Sequence, residues 1–362
     1  MDRIQFGAYL NQCCFHDFLC IFAFEKSIIE QMAKKILINF IKLSAAGGLI
    51  YWLVQSGRLE LSFVEEIFKS DPTRIVLAIA FILFDQIFVA LRLKVIILTK
   101  AVEKISLLKL LVINWIGLFF NSVLPGAVTG DLVKIFYIRD MDRTLPKDFI
   151  FLGVFMDRVI GLIGLVSIGT IFSLFNYQTL VNLSENVKHL VHVNFLLFGL
   201  ILVAAFFFLF FHQIPLLISN KLKAYPVLNK VMPIFDRVWH TFILFRSRIW
   251  ELFLCSVAVQ FIAILIFWYL VHPYAEGAEL DLAKVAAVLP MGFISIAIPI
   301  APAGLGVGHA VFESLFQFFD VTNGANLFNL YFIVVMITNI TGAIPYVLYS
   351  SKHKINLDEV KD

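Results

Sequence analysis

Two groups of charged residues lie inside apolar stretches of the sequence, where charges are rare and usually functional. Asp157 and Arg158 are adjacent within one apolar run, and Asp131 and Lys134 follow a Pro-Gly break in an earlier run. Adjacent residues on a helix point about 100° apart, so Asp157 and Arg158 cannot simply neutralise each other. We therefore predict a separate partner for each: Asp131 for Arg158, Lys134 for Asp157, and Asp85 for either cation.

The Pro-Gly break offers a binding site for an anion. The second half of that run begins near Thr129, whose hydroxyl can cap a helix N-terminus. The N–H groups and positive dipole at such an end bind anions such as a lipid phosphate, and Lys134 lies about one turn further on. Two alternatives stay open: Pro125 and Gly126 form only a tight turn in a packing hairpin, and the intramembrane charges form only a structural ion-pair network.

A second pair of titratable residues, His309 and Glu313, lies in a later broken stretch. The two residues are four positions apart, so they share one helix face. Such a pair can bind a metal or relay protons. No third ligand accompanies it, and we predict no metal site.

The composition requires a membrane around these residues. Apolar residues make up 60% of the 362 residues, charged residues make up 15%, and the mean hydropathy is +0.89. A water-soluble fold of this length could not bury so much apolar surface. We exclude a soluble enzyme, a nucleic-acid binder and a disordered protein, and we predict a polytopic all-α integral membrane protein. The chain has no Walker A or nucleotide-binding motif, and no cofactor is expected.

Apolar run length predicts the spans, since a transmembrane helix needs about 20 apolar residues. Two further stretches, 106–138 and 283–319, are broken at Pro125–Gly130 and Pro299–Gly306, and we predict that both are re-entrant hairpins. Six uninterrupted runs are predicted to cross the membrane: 36–54, 74–97, 149–174, 191–212, 249–272 and 327–350.

The distribution of Lys and Arg predicts the orientation. If both broken stretches return to their side of entry, 21 of the 29 Lys and Arg residues lie on the side of the two termini and five on the other. The positive-inside rule then places both termini in the cytoplasm. In this topology, spans two and three with the first hairpin are an inverted copy of spans five and six with the second. Inverted repeats with broken helices are typical of transporters.

The domain organisation follows from the spans. A single transmembrane domain is predicted over 32–350, followed by a cytoplasmic tail over 351–362. Residues 1–31 are either an over-extended translation start or a cytoplasmic segment, because Met32 with Lys34 and Lys35 resembles a bacterial start. The cytoplasmic loop 213–248 mixes six cations with apolar residues. It is either an amphipathic segment on an anionic leaflet or a plain connector.

Several motifs resemble the transmembrane domain of lysylphosphatidylglycerol synthases and their flippase-like relatives. The motifs cover Ala90–Arg92, Asn121–Gly126, Gly130–Lys134, Phe155–Gly161 and Pro299–Gly306, and the resemblance extends over about 36–350. It implies a domain that moves a lipid across the bilayer. Two-domain members add a soluble aminoacyl-transferase domain. Only twelve residues follow Ser350, and no such domain is expected here.

The leading functional hypothesis is a lipid translocase of the bacterial cytoplasmic membrane that moves a phospholipid or a lipid-linked head group through a cavity between the two re-entrant hairpins. The hairpin tips at Pro125–Gly130 and Pro299–Gly306 are expected to meet near the midplane of the membrane. The alternatives are a membrane-embedded aminoacyl or glycosyl transferase, and an accessory subunit of a separate lipid-modifying enzyme. A homo-oligomer is a further possible assembly. No catalytic residue is assigned. The breaks, the charges and the motifs together give the expected substrate-binding residues: Asn121, Pro125, Gly126, Thr129, Gly130, Asp131, Lys134, Asp157, Arg158, Pro302, Gly304, Gly306, His309 and Glu313.

Overall fold

A computed structural model describes residues 61–101, 105–123, 129–225, 228–297 and 306–350, together with Tyr51 and Gln55. The described residues form helices and the turns that connect them. Five of these helical segments are long and apolar enough to cross a membrane. The predicted all-α, polytopic membrane fold is therefore confirmed.

The five segments correspond to five of the six predicted spans, and the remaining run, 36–54, lies outside the described residues apart from Tyr51. Four of the segments begin two to six residues before the predicted span. The segments are Pro72–Ile97, Lys147–Phe175, Glu185–Phe210, Ile249–Tyr274 and Gly324–Leu348.

We number the α-helices in chain order, leaving aside two short 3-10 turns. They are α1 (Leu61–Ser70), α2 (Pro72–Ile97), α3 (Leu107–Val123), α4 (Thr129–Met141), α5 (Lys147–Phe175), α6 (Tyr177–Val181), α7 (Glu185–Phe210), α8 (Ile214–Leu222), α9 (Met232–Arg246), α10 (Ile249–Val271), α11 (Leu282–Ala297), α12 (Val307–Gln317), α13 (Gly324–Ile340) and α14 (Ala343–Ser350).

Helix α1 was not expected, because its segment was assigned to a loop. It is a short amphipathic helix: Val64 and Ile67 are buried, whereas Glu65 and Lys69 are exposed and form an ion pair of 2.6 Å. The spacing of three residues between Val64 and Ile67 puts both on one face. An amphipathic pattern of only ten residues is too short to be recognised as a helix in a sequence this apolar.

The start of α2 is fixed by a capping carboxylate. Asp71 Oδ1 accepts the Arg74 backbone N–H at 3.1 Å, and Asp71 Oδ2 accepts Arg74 Nε at 2.9 Å. The side-chain hydrogen bond from Arg74 holds the pKa of the Asp71 carboxyl below its ordinary value. Arg74 Nη1 also donates to the Tyr269 carbonyl at 2.5 Å, so this cap joins α2 to the end of α10.

The last span is interrupted, which corrects the expectation of one continuous helix over 327–350. Helix α13 ends at Ile340 and α14 begins at Ala343. A Cβ at Gly342 would clash with the Trp115 carbonyl oxygen of α3, so the glycine permits the backbone after α13 to approach the backbone of α3 closely. Trp115 Nε1 donates to Thr341 Oγ1 at 3.1 Å in the same place.

Each predicted hairpin consists of two helices that pack against each other in opposite directions. In the first pair, Gly130 of α4 lies against Asn121 of α3. Four residues later in α4, Lys134 lies against Gly117, which is four residues earlier in α3. In α11 and α12, Gly308 lies against Ile296, while Phe312 lies against Gly292. The two pairs therefore share one packing scheme. Their re-entry into the membrane stays a prediction.

Helices α2 to α5 and helices α10 to α13 pack in matching patterns. Within the first set, α2 contacts α3 and α5, and α4 contacts α3 and α5; within the second, α10 contacts α11 and α13, and α12 contacts α11 and α13. Between the sets, α5 packs on α10 and α11 as α13 packs on α2 and α3. Helix α2 packs on its own counterpart, α10. A two-fold relation between the two sets requires this pattern.

The counterparts α2 and α10 run antiparallel. Arg74, early in α2, donates to Tyr269, late in α10, whereas Arg92, late in α2, donates to Ser256, early in α10. Two antiparallel counterparts are related by an axis perpendicular to the helices. This geometry supports the inverted repeat that the sequence predicts.

Candidate functional site

A buried ion pair joins α2 to α5. Arg92 Nε donates to Asp157 Oδ1 at 2.7 Å, and the side chains are 6% and 12% exposed. Arg92 Nη1 donates to Ser256 Oγ of α10 at 3.1 Å, and Ser256 Oγ donates to the Ile160 carbonyl at 2.7 Å. One arginine thus links three helices. The expected contact of Asp157 with substrate stays a prediction.

The ion pair corrects the expected partner of Asp157. Lys134 was expected there, but Arg92 occupies the position. Arg92 was counted with the loop cations, since it lies near the end of an apolar run. The sequence signal for burial of Arg92 was its apolar neighbours Ala90, Leu93 and Val95, all of which are buried in the structure. Asp85 forms no ion pair with either expected cation among the described residues.

A second cluster surrounds Asp131 on α4. Asp131 Oδ2 is paired with Arg158 Nε of α5, and Lys134 Nζ lies 3.7 Å from Asp131 Oδ1. The predicted Arg158–Asp131 ion pair is confirmed. Asp157 and Arg158 therefore point to different helices, as their adjacency on α5 requires. Two cations and one carboxylate leave this cluster with a net positive charge.

The members of the second cluster differ in exposure. The Asp131 and Lys134 side chains are 7% and 9% exposed, whereas that of Arg158 is 42% exposed. Asp131 is therefore a buried anchor for a partly exposed guanidinium. Of the three residues, Arg158 is the one placed to contact a ligand.

The stem of Lys134 fills the space beside a glycine of the neighbouring helix. A Cβ at Gly117 would lie 2.5 Å from Lys134 Cε and 2.8 Å from Lys134 Cγ. The glycine thus lets a long cationic side chain run between α3 and α4. Burial of the stem and pairing of the head hold Lys134 within the hairpin.

The N-terminus of α4 is capped by Asn121, which corrects the role expected of Thr129. Asn121 Oδ1 of α3 accepts the Gly130 N–H at 2.8 Å. Thr129 is the first residue of the helix, and its Oγ1 donates to the Phe120 carbonyl at 3.4 Å. A side chain brought by the neighbouring helix is not visible as a local capping signal. Part of the anion-binding capacity expected at this N-terminus is therefore already used.

Gly130→Ala is expected to destabilise the first hairpin. A Cβ at Gly130 would clash with the Gly117 carbonyl oxygen and lie 2.7 Å from Asn121 Cγ. Overpacking of this kind costs about 1–3 kcal/mol, and backbone contact places this case at the upper end. Thermal unfolding in detergent measures the loss. Gly199→Ala is the matched control, because among the described residues nothing beyond its own helix backbone lies within 4 Å of its added Cβ. Equal melting temperatures for both variants would contradict the packing.

The second hairpin places its titratable residues against α13. His309 is 1% exposed, and its Nε2 lies 3.1 Å from Asn329 Oδ1. Glu313 Oε2 accepts the Ala325 N–H at 2.8 Å, at the start of α13. The two residues share one helix face as expected, but Glu313 serves there as a helix cap. Their participation in substrate binding stays a prediction.

The tips of the hairpins lie mostly outside the described residues. Pro125 and Gly126 belong to 124–128, and Pro302 and Gly304 belong to 298–305, so the expected meeting of the tips is not tested. Gly306 is described. Its φ of 77° and ψ of −54° lie in a region that favours glycine, directly before α12.

The family model described as the lysylphosphatidylglycerol synthase TM region matches residues 39–345. The chain belongs to this family. No protein of curated function matches it.

The matched region of this lysylphosphatidylglycerol synthase transmembrane family member contains both ion-pair clusters. Five residues of the motifs that resemble the family form those clusters: Arg92, Asp131, Lys134, Asp157 and Arg158. Family membership and the apolar helices together establish a multi-pass membrane protein related to lipid modification or lipid movement.

Proposed function

We propose that this protein is a lipid translocase whose substrate-binding group is Arg158. The observation that supports the proposal is the half-exposed guanidinium, which is anchored by buried Asp131 beside the first hairpin. Since a charged group within a spanning helix is costly, it is retained there for a function. A lipid is the ligand that a side chain at this depth can meet.

The chemistry of the group favours a phosphate. A guanidinium presents planar N–H donors that match phosphate oxygens in bidentate geometry. Asp131 is paired with Nε, and the Arg158 side chain is still 42% exposed. The net positive charge of Asp131, Lys134 and Arg158 adds to the attraction. The substrate class is therefore a phospholipid or a lipid-linked phosphate.

The two carboxylates of the ion-pair clusters favour translocation over transfer chemistry. A transferase that used Asp131 and Asp157 would need these carboxylates free to act as acid or base. Asp157 is bound by Arg92, and Asp131 is bound by Arg158 and Lys134. The matched packing of α2–α5 and α10–α13 supports movement, because inverted repeats can exchange two conformations that face opposite leaflets.

A translocation assay in proteoliposomes tests the proposal. Fluorescent phosphatidylglycerol is placed in both leaflets, and a reductant that does not cross the membrane bleaches the outer leaflet. Wild-type protein should raise the bleached fraction well above one half, whereas empty liposomes and liposomes with an unrelated membrane protein should not. Equal bleaching in all three would refute the translocase.

We propose the cytoplasmic membrane as the location, with both termini in the cytoplasm, from the excess of Lys and Arg on one side. Arg92 is buried in α2 and must be removed from the count of 21 cations on the side of the termini. That side still has the larger number of Lys and Arg residues. Arg143 and Thr322 are exposed and lie on opposite sides in this topology.

Single cysteines test this orientation in a background without native cysteines. An impermeant maleimide added to intact cells should label Thr322→Cys, and it should label Arg143→Cys only after the membrane is permeabilised. These positions are more accessible than their neighbours Asp142 and Asn323, which are buried. Labelling of Arg143→Cys in intact cells would reverse the topology.

We propose that α8 and α9 lie on an anionic leaflet. Leu217, Ile218 and Ile234 are exposed apolar residues, and the cations Lys221 and Arg237 are exposed among them. A cation near an anionic surface contributes about 1 kcal/mol to attraction. This combination suits a lipid surface better than bulk water.

An environment-sensitive fluorophore on Leu217→Cys tests this contact in nanodiscs. Its emission should shift to shorter wavelength when phosphatidylglycerol replaces phosphatidylcholine. Lys221→Glu with Arg237→Glu should abolish the dependence on lipid charge, whereas the exchange of both for Gln should only weaken it. An emission independent of lipid charge in the parent protein would show a plain connector.

A further inference from the structure

Asp85 is a buried carboxyl group that the ion-pair clusters do not use. Its residue is 7% exposed, and it lies near the middle of α2. Its Oδ1 is buried and accepts no hydrogen bond from the described residues. The other buried carboxylates of the described residues do have partners: Asp131 and Asp157 have cations, Asp142 accepts from Thr144, and Glu313 accepts from Ala325.

In the part of the chain that the structure describes, the groups around Asp85 do not supply a free counter-ion. Arg92, two turns further along α2, acts on Asp85 electrostatically but is already bound to Asp157 of α5. From α13, the Tyr331 phenol is the titratable group that interacts with Asp85. From α10, Cys255 acts on Arg92. From α3, Asn114 donates to Gln86 and contributes no charge.

A lone carboxylate at this depth is unfavourable, whereas a neutral carboxylic acid is tolerated. A protonated carboxyl gains an O–H donor and loses the charge that burial opposes. The position also matters, because α2 packs on its counterpart α10 and on α13 of the second repeat. Relative movement of the two repeats would change the burial of this side chain.

We propose that Asp85 is a proton-binding site at the interface of the two repeats. In the conformation described here the carboxyl carries a proton, and it releases that proton to water when the interface between α2 and α13 opens. The step is Asp85–CO₂H to Asp85–CO₂⁻ plus H⁺, and reclosure requires the proton to return. Resting on the proposed translocation, this site releases its proton on one side of the membrane and regains it from the other, which couples lipid movement to the pH difference across the membrane.

Infrared difference spectroscopy on the full chain in lipid tests the proton site without any transport. Wild-type protein at neutral pH should show the carbonyl stretch of a protonated carboxylic acid, with a shift in D₂O. Asp85→Asn should remove that band, and Asp71→Asn, which changes an accessible capping carboxylate, should keep it. Asp85→Glu should shift the frequency of that band, and this variant replaces Asp85→Asn in the test if Asp85→Asn does not fold. A band unchanged by either substitution at residue 85 overturns the proposal.

Translocation under an imposed pH gradient tests the coupling. The wild-type rate should change severalfold when the sign of the gradient is reversed, and the Asp85→Asn rate should not depend on its sign. An Asp85 band without lipid translocation by wild type would leave the proton site intact and refute the translocase. Translocation that is equally sensitive to the gradient in wild type and Asp85→Asn would refute the coupling.

Discussion

Replacement of Arg92 with Leu is expected to destabilise the protein by about 3–5 kcal/mol, because it leaves the buried carboxylate of Asp157 without its cation. Asp157→Leu should cost a similar amount by leaving Arg92 unpaired. The pair is short at 2.7 Å, and both side chains are almost fully enclosed among α2, α5 and α10. Few other single substitutions in the described region would strand a charge so deeply. Thermal unfolding of purified protein and the yield of monodisperse protein measure the effect.

The double variant Arg92→Leu with Asp157→Leu is the decisive control. Replacing both members of a buried pair with apolar residues is often close to neutral, whereas removing one is costly. We therefore expect the double variant to recover most of the lost stability and to retain lipid translocation. Losses that simply add would contradict a purely structural pair.

Arg158→Ala is expected to reduce lipid translocation about 10-fold to 100-fold, the equivalent of one or two charged hydrogen bonds to phosphate. Stability should change much less than for Arg92→Leu, since the Arg158 side chain is 42% exposed. Arg158→Lys should recover only part of the rate, because an ammonium cannot hold Asp131 and a phosphate in the same planar geometry.

Arg248→Ala is the matched control for this substitution. The Arg248 side chain is 41% exposed and paired with Glu251 at 2.9 Å, but it lies at the start of α10 away from the site. Its translocation rate should equal that of wild type. Equal rates for Arg158→Ala and Arg248→Ala would remove Arg158 from the mechanism.

Features that depend on long apolar runs could be predicted from the sequence. Five spans, the division of both broken stretches into two helices, and the Arg158–Asp131 pair were all accessible. Burial in a membrane makes these signals strong, since a span must be apolar over about 20 residues and an internal charge must find a partner. The cost of an unpaired charge inside the membrane was enough to predict the Arg158–Asp131 pair.

Features that depend on contacts between distant segments could not be predicted. Arg92 and Ser256 are 164 positions apart, and Asn121 caps a helix that begins eight residues after it. The break after α13 is recognisable only once Trp115 is seen against Gly342. Each contact is fixed by the packing of two helices and leaves little trace in either local sequence.

The unequal hairpins illustrate the same limit. Gly117 and Gly292 hold equivalent places in the two pairs, but the first faces Lys134 and the second faces Phe312. The first hairpin therefore carries a cationic cluster, and the second carries an aromatic contact at the corresponding position. The sequence predicts that both hairpins contribute to one site, since each contains charged or titratable residues, but it does not predict this difference in packing.

A cryo-EM map of the protein in phosphatidylglycerol-containing nanodiscs is the most direct measurement of substrate binding at Arg158. We expect density for a lipid phosphate within hydrogen-bond distance of the Arg158 guanidinium, with Asp131 still on its opposite side and acyl chains leaving between the helices. The density should disappear in Arg158→Ala. A well-resolved Arg158 with no head group beside it, and lipids bound only around the periphery of the bundle, would contradict the proposed site.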